Sequence, residues 1–203
     1  MHAIVKDNNI SQIIINPKSV VIGDVRYPAK IFQLWSKAEK EAIGLYEVVT
    51  DSTNKKDEAY YINTNEQYNY ADNQVTRSWG TATPKRLEDE DALDENGDPL
   101  LDQNGDQIIN HGLKTQKKKI IKDQASGLLA PTDWHVIKAT EVADYNVPEN
   151  ITTFRADVRA KSNEMETQID ACTNVDELKA LYEYTTQEDG TITRPLAEFP
   201  EEV

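Results

Sequence analysis

Histidine, cysteine and paired carboxylates are the side chains that most often catalyse reactions or hold metals, and they do so at recognisable spacings. In this chain His2, His111 and His135 each stand alone, with no His-Glu-x-x-His run and no paired Cys/His spacing, so no zinc site is expected. No Gly-x-Ser-x-Gly or phosphate-cradling glycine loop occurs, since no two glycines lie closer than seven residues apart. The single cysteine, Cys172, lies on an apolar stripe with Met165 and Ile169, and its helix end lacks the basic neighbours that activate a thiolate. A buried structural thiol fits that setting. His135 directly follows Trp134 at a predicted helix start, where a surface or capping role fits better than catalysis. No enzyme activity, catalytic residue, metal or cofactor is expected.

One pattern does suggest an ion. Residues 94–101 and 102–109 read DENGDPLL and DQNGDQII, an internal repeat of period eight. Asp94, Asn96 and Asp98, with Asp102, Asn104 and Asp106, resemble calcium ligands by type. An EF-hand loop, however, needs Gly at its sixth position and Glu at its twelfth. Here Gly97 and Gly105 are fourth, and the twelfth positions are Gly105 and Leu113. Asn-Gly is also the strongest short hairpin-turn signal, in which both residues take positive φ. The segment is therefore predicted as an acidic β-hairpin finger with Leu100-Leu101 and Ile108-Ile109 as strand arms, a weak cation site being the alternative.

The elements around these residues follow from composition and periodicity. Net charge is −14, and residues 87–113 carry nine acidic side chains and no basic one. That sign opposes nucleic-acid binding. No apolar run approaches the ~20 residues of a membrane span, and the start MHAIVKDNN lacks a signal-peptide pattern. One cysteine cannot make an internal disulfide, so a soluble protein made in the cytoplasm is expected. A mean hydropathy of −0.68 is low for an enzyme domain and points to an elongated shape or to a partner that covers surface.

Residues 1–27 alternate short apolar runs with turn signals and predict a small β-meander with a hairpin turn at Gly23-Asp24. Ser36 with Glu39 makes a capping box, and Gly44 fits a helix stop, so a short helix over 37–43 is expected. Phe32, Leu34, Trp35, Ala38 and Ile43 would supply its buried side. Further hairpin material runs from 45 to 79. Tyr60, Tyr61, Tyr68 and Tyr70 cluster there, and with Trp35 and Trp79 they are candidate partner-binding residues, sheet packing being the competing explanation.

From Leu113 the pattern turns helical, with Ile120, Ile121, Ala125, Leu128 and Leu129 apolar and Lys117-Lys118-Lys119 on the solvent side. Pro131 precedes a helix over 134–140. A third helix opens at Pro148, and its Ile151, Phe154, Val158, Ser162, Met165, Ile169 and Cys172 recur every 3.5 residues on average. That stripe predicts a helical hairpin with the helix capped by Asn174 and bearing Leu178 and Leu181, or else a homo-oligomeric seam. Ile151, Phe154, Val158, Met165, Ile169, Leu178, Leu181 and Trp134 are the expected core. The predicted class is α+β: a small antiparallel N-terminal β-rich domain with one short helix (1–86), an acidic Asn-Gly hairpin insertion (87–112), a C-terminal helical hairpin or bundle (113–186) and an extended tail (187–203).

The run Gly127-Leu-Leu-Ala-Pro-Thr-Asp-Trp-His-Val-Ile-Lys-Ala-Thr-Glu141, then Val147-Pro148-Glu149, Phe154-Arg155 and Val158-Arg159, resembles the C-terminal region of tailed-bacteriophage tail-fibre assembly proteins and related tail and fibre components. Pro17, Gly23, Tyr27-Pro28, Phe32, Leu34-Trp35 and Glu41-Ala42-Ile43-Gly44-Leu45-Tyr46 resemble the small domain with which many phage fibre and tail proteins begin. The two matches cover roughly 80 residues. The resemblance implies a virion structural protein of the tail or tail fibre, or an assembly chaperone that promotes fibre folding or trimerisation. Its implied partners are other phage tail or fibre proteins, with homo-oligomerisation possible, no nucleic acid and no membrane.

Overall fold

The computed structural model describes residues 1–201 and is a mixed α+β protein that divides into two compact units, Met1–Pro84 and Lys85–Val203. In the first, β1 (His2–Lys6) and β2 (Asn9–Ile14) form a hairpin, followed by the ribbon β3 (Val20–Ile22) and β4 (Val25–Tyr27). Asp7 and Asn8 both have positive φ (51° and 60°), the conformation of a two-residue turn that matches strand twist. The ribbon turns at Gly23-Asp24, as the sequence predicts, with Gly23 at φ 61°. Two short helices follow instead of one, α1 (Ile31–Leu34) and α2 (Lys37–Ala42), and the Ser36/Glu39 capping box is present on α2. Gly44 ends it at φ 81°, where a Cβ would lie 2.6 Å from the Val5 carbonyl oxygen.

The strands β5 (Leu45–Thr50), β6 (Tyr61–Ile62), β7 (Gln67–Ala71), β8 (Gln74–Ser78) and β9 (Thr83–Pro84) complete this unit. The main sheet has the order β2-β1-β5-β8-β7, and β5 runs parallel to β8, which corrects the all-antiparallel expectation. The physical reason is the long connection 51–73, which carries β6 and β7 and returns the chain to the start of β5. The edge strands β2 and β7 approach each other, so the sheet curls. Register places Ile4, Ile14 and Leu45 on one face with Val20, Ile31 and Phe32, forming the core. Ala3, Tyr46, Val48, Tyr70 and Val75 share the other face, where Ala3 and Val75 are fully buried. Leu34 and Ala38, expected on the buried side, face solvent; Lys40 takes the interior place, its ammonium 2.6 Å from Glu47.

In the second unit β10 (Glu90–Asp91) pairs with β11 (Ile109–Asn110), and between them lie two small arms, not one finger. Each arm starts at an Asp whose Oδ1 accepts two backbone N–H groups: Asn96 and Asp98 on Asp94, Asn104 and Asp106 on Asp102. Only Gly97 and Gly105 have positive φ (87° and 88°), so the turns are type I turns closed by a glycine bulge. The aspartate side chains, by capping the turn, outcompete the conformation that Asn-Gly alone favours. Ala92 N–H donates to Ile108 C=O, Ile108 N–H to Leu100 C=O, and Leu100 N–H to Ala92 C=O, each at 2.8 Å. This closed triangle joins the two arms and the β10–β11 ladder.

The helices are α3 (Leu113–Leu129), α4 (Asp133–Glu141) after a 3-10 turn at Ala130–Thr132, α5 (Glu149–Ala171) and α6 (Val175–Ala180), followed by a hairpin of β12 (Thr185–Thr186) and β13 (Ile192–Thr193). Every member of the 3.5-residue stripe on α5 is buried. Its main partner is α3, lying antiparallel, and not the next helix. Length decides this: at ~1.5 Å per residue α5 spans roughly 35 Å and α6 only about 9 Å. Lys118–Asp170 at 2.7 Å and Lys122–Glu166 at 3.2 Å tie one end of the α3/α5 pair, and Ala125, Phe154 and Val158 pack the other. Lys117 and Lys118 thus face α6 and α5 neighbours, Lys117 lying 4.7 Å over the Tyr182 ring, while only Lys119 pairs within its own helix. The stripe is consumed inside the chain, which removes it as an oligomeric seam. Asn174 caps α6, and Gln168 binds Pro195 C=O and Ala197 N–H, so Leu196 is buried against the helical layer.

Candidate interaction surfaces

The predicted partner-binding aromatics are mostly occupied internally. Tyr60, Tyr61 and Trp79 are buried, with the Lys56 ammonium 4.3 Å above Tyr61 and the Arg77 guanidinium 4.6 Å from Trp79. Tyr68 and Tyr70 are half-buried; Tyr68 donates to Glu66, and Tyr70 meets Tyr46 hydroxyl-to-hydroxyl at 3.0 Å. The bond to Tyr70 is the chief reason the Tyr46 phenol is pushed up to about 12. Trp35 packs edge-on against Tyr27 at 5.7 Å beside the core. Alternation along β7 turns Tyr68 and Tyr70 to the face of the sheet that Val75 shares, where sheet packing takes them up. An open groove of about 720 Å³ is bordered by Val5, Ile22, Tyr27 and Ile43, with Lys6 the one charged residue among those lining it.

Trp134 reverses the expectation in the other direction. Predicted as core, it is 52% exposed, and α4 buries none of its nine residues. Val136, Ile137 and Val142 are also exposed, at 41%, 56% and 45%. The interior position is held by Arg155 of α5, which is 8% exposed and spends three bonds on the chain leading into α4. It donates to Leu129 C=O at 2.9 Å and Thr132 Oγ1 at 2.6 Å, and pairs with Asp133 Oδ1 at 2.8 Å. Burying a guanidinium is tolerated only with such full pairing. Its effect is to fix the angle at which a helix with no buried residue leaves α3. On that helix Trp134 and His135 stack at 3.7 Å, His135 Nδ1 and the Tyr145 hydroxyl are hydrogen-bonded, and Lys138 lies 4.3 Å over Tyr145. The rings are thereby held in one arrangement.

Of the other predicted core residues, Ile151, Phe154, Val158, Met165, Ile169 and Leu178 are buried and Leu181 is half-buried. Burial pushes the Cys172 thiol up, away from the thiolate range a nucleophile needs. His111 pairs with Asp89 at 3.0 Å, whose carboxyl is held low chiefly by the Gly112 N–H. Bonds from the arms' own backbone, Asp98 N–H foremost for Asp94 and Asp106 N–H for Asp102, hold both carboxyls below their ordinary values. Among the described residues no group of three or more His, Cys, Asp or Glu side chains is placed to hold a metal ion. No helix among them is long and apolar enough to cross a membrane. Sequence reasoning missed the buried Arg155, Lys40 and Lys114; the partners of Arg155, Asp133, Thr132 and Leu129, lie more than twenty residues away, and no local signal marks them.

No protein-family model, curated protein or solved structure matches this chain.

Proposed function

We propose that this chain is a non-catalytic structural protein of a bacteriophage tail or tail-fibre apparatus, made in the host cytoplasm, that works by protein–protein contact through α4. The observation that carries the contact reading is that α4 exposes Trp134, Val136, Ile137 and Val142 while the buried Arg155 holds it in place. A helix kept at a fixed angle with its aromatic side outward suits an anchor for a partner's pocket. The phage assignment rests on the resemblance of 127–159 and of the N-terminal run. In this reading the small N-terminal β domain, the acidic arms and the C-terminal helical hairpin are three modules of one attachment protein.

Mass spectrometry of purified particles from a host carrying the encoding phage tests the assignment. Several copies per particle are expected. Absence from particles whose fibres need the chain for folding would replace this reading with that of an assembly chaperone. The contact reading is tested separately with Trp134→Ala and Ile137→Ser, which should leave the melting temperature unchanged and abolish incorporation. Normal incorporation of both variants would remove α4 from the interface.

A further inference from the structure

We infer that the two-armed segment 89–110 is a docking surface for a basic polypeptide, one that presents apolar side chains interleaved with Lys or Arg. Residues one place beyond the hydrogen-bonded triangle, Leu93, Leu101 and Ile109, share its opposite side by strand alternation, and they are 52%, 56% and 37% exposed. Leu100 and Ile108 of the triangle are exposed as well, at 41% and 42%, so a segment tied down by its own main chain leaves five aliphatic side chains in water as an apolar surface that lacks a cover. Its surroundings say what covers it. Asp91, Glu95, Asp98 and Asp106 stand around these residues, and among the described residues none of the four has an ion-pair partner. A second copy of this chain brings another nine acidic and no basic side chains over 87–113 and is repelled, as is nucleic acid. A divalent ion finds Asp94 and Asp102 already accepting backbone N–H groups through Oδ1. A cationic peptide with aliphatic residues satisfies both the apolar face and the unpaired carboxylates. The surface is separate from α4, so this inference stands whether or not the phage assignment does.

The test uses the full chain and two fluorescent peptides of equal length, one alternating lysine and leucine and one alternating lysine and serine. Fluorescence anisotropy should show the lysine–leucine peptide binding about tenfold more tightly, the equivalent of one buried aliphatic contact of roughly 1.4 kcal/mol. Combined Leu93→Ser, Leu101→Ser and Ile109→Ser should remove that preference, and added salt should weaken both peptides. A second variant, Glu95→Gln with Asp98→Asn and Asp106→Asn, keeps every side-chain bond that closes the turns, so it stays folded; it should lose at least about tenfold in affinity. Equal binding of the two peptides by the native chain, or unchanged binding by the charge variant, overturns the inference. Saturable calcium binding that Asp94→Asn abolishes overturns it too, in favour of a cation site.

Discussion

Helices α4 and α5 adjoin in sequence and both carry apolar side chains at helical spacing, yet their fates are opposite. All seven stripe residues of α5 are buried against α3 and the elements after it, while α4 buries nothing. Periodicity identifies an apolar face but not what covers it. The deciding factor is reach. A stripe about 35 Å long finds a matching surface along α3, whereas a nine-residue helix tied to Arg155 through its first residue, Asp133, finds none.

The sharpest way to break this contrast is to empty one position on α5. Ile169→Ala, at a site with no exposure, should cost about 3–4 kcal/mol in urea unfolding. A cost below about 1 kcal/mol would mean the stripe is not a tightly packed core. Arg155→Met should cost roughly 2 kcal/mol, because Leu129 C=O and Thr132 Oγ1 each lose a charged donor and keep only their bond to each other. Hydrogen exchange should then accelerate in α4 far more than in α5; uniform acceleration would show that the arginine supports the whole bundle. Acid separates the regions further. Thr173 N–H, then its hydroxyl and Asn174, hold the Glu177 carboxyl below its ordinary 4.5. Because the folded value is the lower one, this stabilisation is complete above pH 4.5 and disappears as pH falls through the folded value. The melting temperature of Glu177→Gln should therefore vary less than the native chain's in that window, and an identical pH profile would refute the account. The smallest effect is expected at Trp134→Ala, within about 0.5 kcal/mol of native stability. A loss comparable to that of Ile169→Ala would place Trp134 in a core after all.

What could be read in the sequence was what is decided locally. The Ser36/Glu39 box, the Asn174 cap with Glu177 and the 3.5-residue stripe each depend on residues within about one turn, and each appears where expected. The parallel β5/β8 pairing and the choice of α3 as partner for α5 depend on segments far apart in the chain, which no local pattern encodes. The arms lie between these cases. Their position and turn-forming nature were legible, but the turn type was decided by the Asp94 and Asp102 side chains rather than by Asn-Gly. Trp134 failed because a large aromatic was expected to win the interior, whereas Arg155, with three partners in reach, did.

The triangle at Ala92, Leu100 and Ile108 separates shape from specificity. Its three bonds use only main-chain atoms, and Asp94, Asp102 and the two glycines close the turns. Gln107 Nε2 adds bonds to the Ala92 and Ile108 carbonyls, whereas Leu93, Glu95, Leu101 and Gln103 are exposed and contribute no bond to that frame. Mutation can therefore rewrite the surface of the arms while their outline persists, so descendants of this chain can vary that surface without having to refold.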